Sequence, residues 1–154
     1  MQIGLYRGKS LVSKIIRWQT DGPYSHANII LDDGRIIEAW HKPGRVRVIK
    51  TLSDGHTPGT EVDLFHLDVT TEQSRTIADF LTAQVGKGYD YRGVLRFISR
   101  SDRTSIRRWF CSEMVFAAFQ CAGVYLLHVD AYKVSPTLLS YAPGLRYNRQ
   151  IITK

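Results

Sequence analysis

Apolar residues recur along this chain with two different periods, and the period changes from segment to segment. Ile3 to Tyr6 reads as a short strand. Between Ser10 and Gln19, Leu11, Ile15 and Trp18 stand at helical spacing, so an amphipathic helix follows, stopped by Thr20-Asp21-Gly22-Pro23. Ser25 to Leu31 and Arg35 to Trp40 are isoleucine-rich runs separated by Asp32-Asp33-Gly34, a strong hairpin signal. Arg45 to Ile49 alternates arginine with valine in the manner of a third strand. Lys50 to Thr60, with Gly55, Pro58 and Gly59, reads as loop. Val62 to Leu67 alternates again, with Val62 and Leu64 on one face and Asp63, Phe65 and Leu67 on the other.

Further along, Thr70 and Gln73 form a capping box that opens a helix through Ile77, Phe80, Leu81 and Val85 and ends at Gly86. Tyr91 to Ile98 is a second helical stretch. Cys111 to Ala122 is the clearest helix, closed by Gly123, and Ser135-Pro136 begins a short last one. Strands clustered near 25 to 67 and helices elsewhere predict an α+β fold, a small antiparallel sheet packed against helices that include the Cys111 helix. No repeat or linker interrupts the pattern, so residues 1–154 are expected to form a single domain.

An apolar fraction of 44% and a charged fraction of 23% fit an ordinary globular chain. No run of about eighteen apolar residues is long enough to cross a bilayer, and Met1 to Arg7 lacks the pattern of a secretory signal. The expected location is cytoplasmic by default, or reached by another export or delivery route. A net charge of +7 favours anionic partners without naming one. Basic residues thicken at Arg96, Arg100, Arg103, Arg107 and Arg108, interleaved with Ser99, Ser101, Asp102, Thr104 and Ser105. Two readings stand for that segment: a solvated loop, or a docking patch for nucleic acid or an anionic surface. No specific nucleic-acid partner is expected.

The two cysteines lie ten residues apart on one helix, about 15 Å along its axis, too far to bridge. Cys111 begins that helix, where unpaired N–H groups and the positive dipole end stabilise a thiolate. The other fate of such a residue is a buried, unreactive thiol. Cys121, among alanines in the same helix, reads as a small core residue. A thiolate needs a base, and histidine suits that exchange. Of five histidines, His41, His56 and His128 sit near turns and His66 has no polar partner in view, whereas Tyr24, Asn28 and Glu38 surround His26 in the hairpin.

Hairpin register decides whether Glu38 reaches His26. A three-residue loop Asp32-Asp33-Gly34 pairs Leu31 with Arg35, Asn28 with Glu38 and His26 with Trp40, which makes His26 and Glu38 diagonal neighbours on one face. A two-residue turn moves Glu38 to the opposite face, where it is a solvated strand carboxylate. No two cysteine or histidine residues have the close spacing of a zinc motif, so neither a metal nor another cofactor is expected.

Tyr24-Ser25-His26, Ile36-Ile37-Glu38-Ala39, Gly88-Tyr89-Asp90 and Phe110-Cys111-Ser112-Glu113, in that order, resemble the YiiX-like branch of the circularly permuted NlpC-type papain-like cysteine hydrolases. The resemblance runs from about residue 3 to residue 140. Histidine precedes cysteine, the order of the permuted branch. The related lecithin:retinol acyltransferase-like enzymes have histidine where Glu38 stands here. The resemblance implies a permuted papain-like fold with Cys111 as nucleophile, His26 as base and Glu38 as polar third member. It also implies that Tyr24 helps stabilise an oxyanion, against its alternative as a packed strand aromatic. The implied reaction is cleavage of an amide bond, in a cell-wall peptide or similar, through an acyl-thioester. The alternatives are lipid acyl hydrolysis or transfer on the same fold, and a non-catalytic basic binding domain.

Overall fold

A computed structural model describes residues 1–91 and 108–154. The helix expected over Tyr91 to Ile98 falls almost wholly outside the described residues, as do Arg96, Arg100, Arg103 and Arg107. Arg108 is described, in a short strand.

The order of elements is β1 (Gln2–Arg7), α1 (Leu11–Gln19), β2 (His26–Ile30), β3 (Ile36–Trp40), β4 (Arg45–Ile49), β5 (Glu61–His66), α2 (Thr71–Gln84), β6 (Gly88–Tyr89), β7 (Arg108–Trp109), α3 (Cys111–Cys121), a 3-10 turn (Ala131–Lys133), α4 (Pro136–Leu139) and β8 (Arg146–Ile152). The strands form one sheet in the order β7-β6-β4-β3-β2-β1-β5-β8, antiparallel throughout except for the parallel β6–β7 pair. The α+β class expected from the pattern is therefore present, but the sheet is larger than the small one anticipated. The strands not anticipated are β6 and β7, of two residues each, and the edge strand β8 (Arg-Tyr-Asn-Arg-Gln-Ile-Ile), which is mostly exposed and so lacks the apolar alternation of a half-buried strand.

The sheet has two unlike faces. Ile3, Leu5, Ala27, Ile29, Ile37, Ala39 and Val46 point to the helical side, where they pack with Ile77 and Leu81 of α2 and Met114, Val115, Phe116 and Phe119 of α3. On the other face, Tyr6, Val62 and Leu64 make a small second cluster with Ile30 and Leu52. Polar groups share that second face: Tyr6 pairs with His26, Gly4 with Asn28 and Glu38 with Arg47. The loop between β4 and β5 folds back against it, tied by the Tyr6 hydroxyl donating to the Leu52 carbonyl at 3.2 Å.

The β2–β3 hairpin has the three-residue loop. The Leu31 N–H donates to the Arg35 carbonyl at 2.9 Å, Ile30 pairs with Ile36 and Ile29 with Ile37. Gly34 carries the left-handed conformation, φ +85°. Ladder pairing between β2 and β3 is confined to those two residue pairs, so the strands part toward His26 and Trp40. Because an L side chain at the Gly34 φ is strained, Gly34→Ala is expected to lower stability by about 1–2 kcal/mol in chemical denaturation. A neutral substitution would contradict this turn assignment.

Candidate functional site

The odd loop sets the register that brings Glu38 to His26. The His26 Nε2 lies 2.8 Å from Glu38 Oε2, with both side chains buried. The same oxygen also meets His56 Nε2 at 3.1 Å, and the other, Oε1, accepts from Arg47 Nε and Nη2 at 2.8 and 2.6 Å. Arg47 is held in turn by the Asp54 carbonyl at 2.7 Å. The Glu38 carboxylate is thus buried yet surrounded by donors. Tyr6 stacks on His56 at 4.2 Å between ring centroids and meets His26 edge-on at 5.1 Å, while Trp40 lies 4.7 Å from His26. These side chains stand on the polar face, at a groove of about 130 Å³ lined by Tyr6, Ser25, His26, Trp40, His41 and His56.

Burial penalises the Glu38 charge, but hydrogen bonds from His26 and His56 outweigh it and hold the carboxyl below its usual range. His26 moves the other way. Burial, against the pull of Glu38, lowers its pKa to about 4, so it rests as a neutral imidazole. With Glu38 ionised, Nε2 of His26 carries the proton that bonds the carboxylate, which leaves Nδ1 as the free base.

Cys111 begins α3 as expected, in the helix-side core and 0% exposed. Where the strands part, the Ala27 N–H reaches the sulfur, and the N–H groups of Ser112 and Cys111 add to it. This places the sulfur against the residue that follows His26. No hydrogen bond links the sulfur to the His26 ring among the described residues, because the ring belongs to the opposite face and is committed to Glu38. The depressed thiol pKa expected from the helix N-terminus is overturned: burial pushes it up to about 12, more than the amide bonds can offset.

The Tyr24 side chain is engaged away from His26. Its hydroxyl donates to Asp63 Oδ2 at 2.6 Å, beside Arg7, which bonds the same oxygen at 2.8 Å, and its ring meets Phe65 edge-on. The hydroxyl is therefore spent on a buried carboxylate on the helix side of the sheet, not offered to an oxyanion near His26. Cys121, expected in the core, is exposed at the end of α3. The two cysteines are both free, as their spacing required. Ser112 donates to the Val134 carbonyl at 2.6 Å, and Glu113 caps its own helix through the Phe110 N–H. Both have structural roles, as read from the sequence.

His56 and Arg47 were not singled out by the sequence. His56 sits in a glycine-rich loop and gains its place only when that loop folds over β1. Arg47 lies directly opposite Glu38 across the β3–β4 ladder, a pairing that the alternation of β4 allows but does not announce. Together His26, Glu38 and His56 put two imidazole nitrogens and a carboxylate oxygen within 4.8 Å of one another. That is a donor set zinc accepts, assembled from positions too far apart in the chain for a spacing motif to show.

Fold and site define an α+β domain with a buried histidine–carboxylate cluster on one face of its sheet and a helix-tip cysteine on the other. No family model matches the chain, and no curated protein matches it. Among solved structures it is similar in fold to one described as the metalloprotein yiiX from Escherichia coli O157:H7, with a TM-score of 0.74 and 20% identity. That likeness covers 97% of this chain and 96% of the other, and at such low identity it concerns the fold alone.

Because His26 is protonated far more readily unfolded, near its ordinary 6.5, than folded, near 4, the unfolded chain binds more protons between those values. Stability is therefore expected to be highest above pH 6.5 and to fall as the pH drops toward 4. Glu38, depressed in the folded state, adds loss of the same sign once the pH falls below the ordinary carboxyl range. Denaturation midpoints across this range check it, and His26→Phe should flatten the decline between 6.5 and 4. Glu38→Ala, which strands Arg47 and two imidazoles, should cost about 3–5 kcal/mol.

Proposed function

We propose that this protein is a thiol hydrolase of the permuted papain-like kind, cleaving an amide or ester carbonyl through an acyl-thioester on Cys111. The observation that carries the reading is the juxtaposition at the parting of β2 and β3. Cys111, at the tip of α3, accepts the Ala27 N–H, and the preceding residue, His26, is oriented by Glu38 at 2.8 Å. The resemblance in motif order, histidine before cysteine, supports the same reading.

At rest the thiol and the imidazole are both neutral and lie on opposite faces of the sheet, so in this reading the ring has to reach the sulfur across the gap between β2 and β3 before it can act. His26 Nδ1 takes the thiol proton as the sulfur attacks the carbonyl carbon, and Glu38 balances the imidazolium that forms. Collapse of the tetrahedral intermediate breaks the carbonyl–leaving-group bond, and the imidazolium returns its proton to the departing amine or alkoxide. Water, activated by the same ring, then cleaves the thioester and frees the acid and the thiol. Backbone N–H groups at the start of α3 are the natural donors to the oxyanion, since Tyr24 is engaged elsewhere. The sulfur is sealed, so its cover must shift before a substrate can reach it.

The groove of about 130 Å³ is lined by His26 and not by Cys111, so the shift that uncovers the sulfur must also open a path to it. The preferred substrate is an amide in a cell-wall peptide or similar polymer, and the alternative is a lipid ester. Mass analysis of products from cell-wall fragments and from phospholipids separates the two. In a Cys121→Ser background, which removes the exposed thiol, Cys111→Ala is expected to abolish covalent labelling by a thiol-reactive acyl probe, seen as loss of the adduct in intact mass with the circular dichroism unchanged. Labelling that persists undiminished ends the assignment.

One observation favours a second reading, a metal-dependent hydrolase. His26 and His56 with Glu38 form the ligand set described above, and the yiiX structure is described as a metalloprotein. Bound there, zinc would supply a polarised water facing the groove. Against it, the Arg47 guanidinium already neutralises Glu38. Hydrolysis stopped by a chelator but unaffected by Cys111→Ala, with zinc lost in His56→Ala, selects the metal. Hydrolysis lost in Cys111→Ala and indifferent to chelator selects the thiol.

A further inference from the structure

We infer that α1 is a docking helix whose outward apolar stripe, Leu11, Ile15 and Trp18, seats the protein on an anionic lipid bilayer. At about 100° per residue these three side chains fall within an arc of about 60°. A surface helix normally turns such a stripe to the core. Here it faces out: Leu11 is 74% exposed, Trp18 79%, and Ile15 is exposed as well, while Ile16 is the sole buried residue of α1. The helix is anchored by its other side, and its amphipathic pattern is spent on solvent. Its first turn is secured by Ser10, whose Oγ accepts the Ser13 N–H at 3.1 Å, so the stripe is held in a formed helix.

Charge selects the occupant. Apart from Arg7, which is bound to Asp63, residues 1–20 contain Lys9, Lys14 and Arg17 and no acidic residue, in a chain of net charge +7. Lys9 and Lys14 are exposed beside the stripe, and neither meets an acidic side chain among the described residues. An exposed indole with aliphatic neighbours, rimmed by cations, fits the boundary between acyl chains and anionic headgroups, where such helices lie in the plane of the membrane. No helix among the described residues is long and apolar enough to cross a bilayer, so the contact belongs to the interface. Lys9, Ser10 and Ser13 also wall the groove that holds His26 and His56, so docking through α1 brings the groove mouth to the lipid surface.

Co-sedimentation with phosphatidylcholine vesicles, with and without about a quarter phosphatidylglycerol, tests this on the full chain. Wild type should bind the mixed vesicles, release in about 0.5 M salt and bind pure phosphatidylcholine far less. Leu11→Glu, Ile15→Glu and Trp18→Glu should each weaken binding about tenfold or more, with thermal unfolding unchanged because the side chains are exposed. Cys111→Ala should bind like wild type, which separates this inference from the thiol reading. Absence of vesicle binding by wild type overturns it. So does binding that survives all three substitutions, or a concentration-dependent dimer that they abolish, which would make a second copy the occupant.

Discussion

A carboxylate with no exposure to water dictates much of this architecture. Glu38 is ionised inside the protein because four donors reach its two oxygens: Arg47 twice, His26 and His56. An isolated carboxylate buried this way would be neutralised or would unfold its surroundings. The three residues that supply these donors come from three different elements. His26 is on β2, Arg47 on β4 and His56 in the loop folded back over β1, so the charge ties a hairpin, its neighbouring strand and a long connection into one arrangement. The same network fixes the His26 ring and its tautomer.

The sheet separates two environments. Its helical face is a dry core into which Cys111 is drawn, and its other face carries the polar cluster and the groove. The gap where β2 and β3 part is the place at which the two meet, since there the Ala27 N–H turns to the sulfur instead of to β3. Burial holds both the Cys111 thiol and the His26 imidazole neutral, so neither is ionised at rest. This differs from the preformed thiolate that a helix N-terminus alone suggests, and the difference comes from desolvation exceeding the dipole.

Much of this was legible in the chain, for identifiable reasons. The Asp32-Asp33-Gly34 loop fixed the hairpin register, because a glycine at positive φ and a three-residue span leave few other solutions, and Glu38 followed to His26. The capping box at Thr70 and the cysteine at the head of α3 were equally local. What could not be read depended on long-range closure. His56 belongs to a loop whose sequence says only that it turns. Arg47 looks like any polar residue on an alternating strand until β3 is laid beside it. Tyr24 sits two residues from His26 in the chain, yet the backbone leads its hydroxyl to Asp63 on the opposite face. The stripe on α1 was visible as amphipathic spacing, but the pattern cannot say whether that face turns inward or outward.

The central claim is that His26 serves the Cys111 sulfur across the gap between the strands. The rate at which Cys111 is acylated by an activated ester, compared between wild type and His26→Asn at neutral pH, tests it most directly. A fall of about 10²–10⁴ with the fold intact is what general-base assistance predicts. Equal rates in the two proteins would mean that the ring and the sulfur work apart, and the thiol account would be contradicted.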